Sequence, residues 1–206
     1  MILFDYYRGM YTMNRILLKT ILLVFVLSGK PVLAEQSSPG DVVRDIVDRV
    51  LQVLDDSNLT EDQKQQTIYT IASSNIDFRE MSQRILAVNW RQASDTDKER
   101  FVSLYEKILL GDYWTRIRNY SGERVQYLSV SIEQENYATV DTVITHPDGE
   151  VEIPITYRML MRDGQWFAYD FLVEGLSLVQ NYRREYLAII KNSGMEGLLQ
   201  YMETQI

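Results

Sequence analysis

The chain has 206 residues, 46% of them hydrophobic, with 29 acidic against 21 basic side chains for a net charge of −8, and no cysteine. That length and apolar content fit one globular domain with a sizeable core and exclude a disordered chain. The acidic balance argues against nucleic acid as a partner, and the lack of cysteine excludes disulfides, thiolate metal sites, a cysteine nucleophile and a lipid-anchoring cysteine.

Charge is unevenly placed. Arg8, Arg15, Lys19 and Lys30 against Asp5 give residues 1–34 a net +3 and leave −11 to the rest. Behind the basic residues runs Ile21-Leu22-Leu23-Val24-Phe25-Val26-Leu27, and Val32-Leu33-Ala34 fits a small-residue cleavage site. This is the three-part pattern of a secretory signal over 1–34, with the mature chain expected to start at Glu35. The apolar run is too short to span a bilayer. No second run follows, so an exported protein without a permanent membrane anchor is expected. Met10 and Met13 are alternative starts.

Ser38-Pro39 with Asp41 predicts a capped helix start, and Val43, Ile46, Val47, Val50 and Leu54 follow at helical spacing. Thr60 with Gln63 is a capping box for a second helix. Asp77 with Glu80 opens a third. Ser94 with Asp97 opens a longer one bearing Phe101, Leu104, Tyr105, Ile108 and Leu109. A bend is expected at Gly111-Asp112, where the apolar stripe is interrupted. After Ser121-Gly122 the period shortens to two. Strands are predicted over 124–132, 137–146, 150–161 and 165–173, with turns at Pro147-Asp148-Gly149 and Arg162-Asp163-Gly164. Ile153, Ile155, Tyr157, Met159 and Met161 share one face of the third strand. Pro154 lacks a ladder donor and points to an edge or bulge there. Helices follow over 177–192 and from about Met195 to Glu203, parted by Gly194. The order makes an α+β domain with helices on one face of an antiparallel sheet.

Little in this pattern speaks of covalent chemistry. His146 is the single histidine, beside a turn, and without cysteine it leaves only carboxylates for a metal. There is no phosphate-cradling glycine loop and no nucleophile elbow. Asp170 is the best candidate for a general base in a pocket. The favoured reading is a structural tie from the last strand to a neighbouring helix, or to an arginine such as Arg183 or Arg184. Glu174 is expected to satisfy backbone donors at a strand-to-helix reversal around Gly175. Fourteen tyrosines suit either a cavity wall with polar tips or an ordinary core.

One stretch is more specific. Trp166, Ala168-Tyr169-Asp170, Glu174-Gly175, Ser177, Val179 and Asn181-Tyr182-Arg183 form the ordered signature W-x-A-Y-D-x-x-x-E-G-x-S-x-V-x-N-Y-R. This resembles the MlaC family, also called the toluene-tolerance auxiliary family. The resemblance continues through Phe78, Asn89-Trp90-Arg91, Phe101 and Tyr113 upstream and Gly194 downstream. It implies a curved antiparallel sheet with helices on its concave side, a nuclear-transport-factor-2-like cone, over residues 35–206. It also implies a periplasmic phospholipid carrier that is not an enzyme and uses no cofactor or metal. Its implied partners are phospholipid, an inner-membrane ABC-transporter complex and an outer-membrane lipoprotein complex. With the strand alternation, it makes Tyr105, Leu109, Tyr113, Ile153, Ile155, Tyr157, Met159, Tyr169, Phe171 and Tyr182 the expected lipid-lining set. The alternatives are an enzyme of the same fold with Asp170 as base, and an adaptor with a filled core.

Overall fold

A computed structural model describes residues 37–149 and 152–206; the expected signal segment lies outside them. Ser38 caps α1 (Pro39–Asp55), accepting from the Asp41 amide at 3.1 Å. The Thr60–Gln63 capping box opens α2 (Glu61–Asn75). Asp77 caps α3 (Phe78–Leu86), Ala87 at φ +52° turns the chain into the short α4 (Val88–Gln92), and Ser94 caps α5 (Asp95–Ile117). The helix α5 runs unbroken through Gly111-Asp112, where a bend was expected.

Strands β1 (Arg124–Gln134), β2 (Tyr137–Thr145), β3 (Glu152–Arg162), β4 (Gln165–Val173) and β5 (Leu176–Ser177) form an open antiparallel sheet in sequence order. Asp163-Gly164 and Glu174-Gly175 join their strands with φ of +51° and +79° at each pair, the left-handed dihedrals that match a two-residue hairpin to strand twist. Gly175 therefore sits in a hairpin to β5 rather than at a strand-to-helix reversal. Glu174 is itself a turn residue with an exposed side chain, not a carboxylate folded back on the turn. Only after β5 does Ser177 cap α6 (Leu178–Glu203), which kinks at Gly194, φ +69° and ψ −173°. Gly194 is non-helical and parts α6 into two helical segments, as the sequence predicts.

Pro154 lies where β3 outruns its neighbour. β4 ends with Val173 opposite Ile155, and the Pro154 carbonyl accepts from the Glu174 amide at 2.9 Å. The carbonyl and nitrogen of one residue face the same side of an antiparallel strand. The proline nitrogen thus faces the end of the β4 ladder, where no donor is required. The free side of β4 is covered twice, by β5 at one end and by the Ile76–Ala168 bridge at the other.

Apolar side chains gather into two cores. The helical core joins Phe78, Met81, Ile85, Phe101, Tyr105, Leu109, Tyr186, Leu198 and Met202 from α3, α5 and α6. The sheet core joins Val43 of α1 to Ala138, Val140, Met159, Trp166 and Ala168. Phe171 and Ile76 pack against both. Burial at this scale is worth about 1.5–3 kcal/mol per large side chain.

Candidate functional site

A single β-bulge decides which β4 side chains face the helices. Met159 pairs with Ala168 and Tyr157 with Phe171, so Tyr169 and Asp170 together oppose Arg158. Two residues against one flip the phase of the strand. Trp166 and Ala168 before the bulge, and Phe171 and Val173 after it, share the face of Met159 and Tyr157. Tyr169 does not. The expectation that it points inward with Ile153 to Met159 is corrected: its ring lies 5.9 Å from that of Tyr137, which pairs with Leu160, and 4.2 Å from the Arg84 guanidinium, on the opposite face.

The bulge also aims Asp170, which is 2% exposed. Its Oδ1 accepts from the amides of Phe171 (2.9 Å) and Val179 (3.1 Å). Its Oδ2 accepts from the Ser177 hydroxyl (2.6 Å) and from Arg158 (3.2 Å). A carboxylate has about four acceptor sites, and here all four are filled. Asp170 ties the strand bulge to the first turn of α6, where a negative charge is also favoured by the helix dipole. The tie to a helix agrees with the structural expectation. Its arginine is Arg158, directly across the ladder, in place of Arg183 or Arg184, which lie more than a turn into α6.

Beside the two cores, some apolar side chains are only half-buried. Tyr113 on α5 and Tyr182 on α6 pack against the helical core, Tyr157 on β3 against the sheet core and Phe171 on β4 against both, while Ile153 and Ile155 continue the Tyr157 face of β3; these six are the seam residues. The Tyr157 and Phe171 rings meet edge-on at 5.6 Å, and Tyr182 meets Tyr105 edge-on at 5.2 Å. Tyr105 and Leu109 stand behind the seam in the helical core, and Met159 stands behind it in the sheet core, at 0%, 3% and 0% exposure. Burial pushes the Tyr157 hydroxyl up to about 12. It also raises Tyr105, Tyr113, Tyr182 and Tyr186. These groups stay neutral at ordinary pH, so the seam presents rings and uncharged hydroxyls. Tyr182 carries its polar tip outward, donating to Asp112 at 3.1 Å.

Two surface hollows lie elsewhere. One of about 650 Å³ sits between α1 and α2, lined by Arg49, Gln52, Asp56, Gln66 and Thr70 among others. The other, of about 320 Å³, is lined by Ser73, Asp77, Glu106, Arg162 and Phe167 among others. The first is walled mainly by charged and amide side chains, whereas the second mixes charged groups with Ile76, Phe78 and Phe167. Among the described residues no cluster of three or more His, Cys, Asp or Glu could hold a metal ion, and no helix is long and apolar enough to cross a membrane. The sequence reading missed the buried hydroxyl of Tyr127, which has no hydrogen-bond partner and whose ring lies 4.0 Å beneath the Arg44 guanidinium. Its alternation with Val125 was the available signal.

Comparison with known proteins matches the MlaC protein family model over residues 44–204. The chain belongs to the MlaC family. The intermembrane phospholipid transport system binding protein MlaC of Haemophilus influenzae is 20% identical over 123 residues, 58% of this chain and 58% of that protein. The chain thus matches less than two thirds of the relative's length. A phospholipid-binding protein from Ralstonia solanacearum, solved in complex with a phospholipid, superposes with a TM-score of 0.73 at 21% identity. That match covers 82% of this chain and 97% of the other, and it shows that the MlaC fold is shared.

Proposed function

We propose that this protein binds phospholipid in the seam beside its two cores and carries it through the periplasm. Lipid passes between an inner-membrane ABC-transporter complex and an outer-membrane lipoprotein complex, which maintains lipid asymmetry of the outer membrane. The half-buried apolar seam is the observation that carries this reading. Partly exposed isoleucine, phenylalanine and tyrosine grouped along β3 and the end of β4 are the kind of apolar surface that marks a binding region. Family membership, the phospholipid transport named for the Haemophilus relative and the phospholipid held by the Ralstonia protein support it.

The energetics demand a shielded route. A diacyl lipid has roughly 30 methylenes, and at ~0.8 kcal/mol each the tails lose on the order of 25 kcal/mol in water. A wall that matches the bilayer makes transfer nearly thermoneutral, so direction comes from the partner complexes. The acidic body keeps the carrier off anionic membrane surfaces until a docking protein engages it. The protein is not an enzyme in this reading. Asp170 has no acceptor site left with which to take a proton from a substrate.

Extraction of the purified protein followed by mass spectrometry tests the proposal. Phospholipid in near-stoichiometric amount is expected. A preparation that holds none and takes none from vesicles overturns it. N-terminal sequencing of the exported protein should begin at Glu35.

A further inference from the structure

Tyr105 has no exposed surface, and its hydroxyl has no hydrogen-bond partner among the described residues. The ring is held on three sides, stacked on Phe101 at 6.1 Å and edge-on to Phe78 at 6.4 Å and Tyr182 at 5.2 Å. A ring fixed in this way cannot carry its hydroxyl to solvent. Of the polar groups that act on it, Tyr182 donates to Asp112 and Asp170 accepts from four donors, and the Tyr113 and Tyr186 hydroxyls do not bond to it. Buried hydroxyls without a partner are rare in native proteins and destabilise them.

We propose that the Tyr105 hydroxyl donates a hydrogen bond to an ester carbonyl of the bound phospholipid, so that the protein selects ester-linked over ether-linked lipids. The inference rests on the carrier reading above. Tyr105 stands directly behind Tyr182, one of the seam residues, and one helical turn each separates it from Leu109 and Leu109 from Tyr113. Acyl chains in the seam bring their ester groups within the same apolar surroundings, and the carbonyls are the acceptors next to the chains. A phosphate suits this position poorly. It would bring a second negative charge towards Asp170, which already acts on the Tyr105 hydroxyl. A neutral carbonyl avoids this. An ether oxygen carries no carbonyl and accepts weakly, so the two linkages differ at the atom that Tyr105 contacts.

The test offers delipidated protein vesicles of diacyl phosphatidylethanolamine, or of its dialkyl ether counterpart of equal chain length, and measures lipid taken up in competition. The wild-type protein is expected to favour the diacyl lipid by about fivefold, the worth of one neutral hydrogen bond. Tyr105→Phe should take up both lipids equally. It should also melt at or above the wild-type temperature when lipid-free, because it removes the unpaired hydroxyl and leaves the ring. If wild type shows no preference, or Tyr105→Phe keeps it, Tyr105 does not contact the ester, while carriage stands. A variant that loses stability yet keeps the preference gives the hydroxyl a purely structural role and overturns the proposal. Uptake of neither lipid by wild type would sink the carrier reading, and this inference with it.

Discussion

The two ends of β3 carry the same alternating apolar stripe and meet different fates. Met159 is fully buried in the sheet core, while Ile153 and Ile155, six and four residues earlier, are half-buried and belong to neither core. The difference lies in what each end faces. Met159 is flanked by Ala138 and Ala168 on the neighbouring strands, under Val43 of α1. Ile155 pairs with Val173, the last residue of β4, at the end where that strand stops. A stripe continuous in sequence is thus divided between a part that holds the fold together and a half-buried part, where the proposed lipid would lie.

The largest effect is expected at the closed end. Met159→Ala should cost about 2–5 kcal/mol, because a filled site cannot collapse around the cavity. Ile153→Ala should cost less than half as much. Equal losses in chemical denaturation would mean that the stripe is one uniform core. Asp170→Asn should cost about 3 kcal/mol by disturbing the four-donor hub. Arg158 limits the loss, since its side chain is 39% exposed and can turn to water. Lipid content per folded molecule should stay near wild type; its complete loss at unchanged stability would place Asp170 in the binding site instead.

Alkali should act on the seam next. The Tyr157 hydroxyl is raised from 10.0 to about 12 by burial. Its folded pKa lies above the unfolded one, so its contribution is complete below pH 10 and is lost as pH rises towards 12. Two pH units correspond to roughly 2.7 kcal/mol. In melts, wild type should lose stability relative to Tyr157→Phe as pH rises from 10 towards 12, with a constant difference below 10; parallel curves throughout would show that Tyr157 ionises as freely as in the unfolded chain. The smallest stability change is expected for Ile155→Trp, under about 1 kcal/mol, where a filled core would lose about 1–3. The same variant should hold clearly less lipid. A large stability loss with normal lipid would make this end ordinary core.

Much of this was legible in residues whose chemistry is local. Ser38, Thr60, Asp77, Ser94 and Ser177 cap the helices that they announce, and Asp163-Gly164 makes a turn that few other pairs adopt. The stripe Ile153 to Met161 read correctly as one face. What failed was whatever depends on a neighbour far along the chain. Nothing in Ala168-Tyr169-Asp170 betrays a bulge, so simple alternation assigned Tyr169 to the wrong face. The pairing of Asp170 with Arg158 follows from cross-strand register, which sequence spacing does not encode. β5 and α4 are too short to carry a period. The division of the stripe into core and seam depends on where β4 stops, a property of the assembled sheet.

The bulge gives length a meaning that composition lacks in this segment. Replacing Tyr169 alters its packing against Tyr137 and Arg84, and the rest of β4 stays in phase. Deleting it would leave a strand of regular alternation, in which Phe171 and Val173 exchange sides with Leu172. The hairpin to β5 and the carboxylate at the foot of α6 would then be aimed at the wrong layer. Along β4, therefore, substitutions are local events and a single deletion is a topological one.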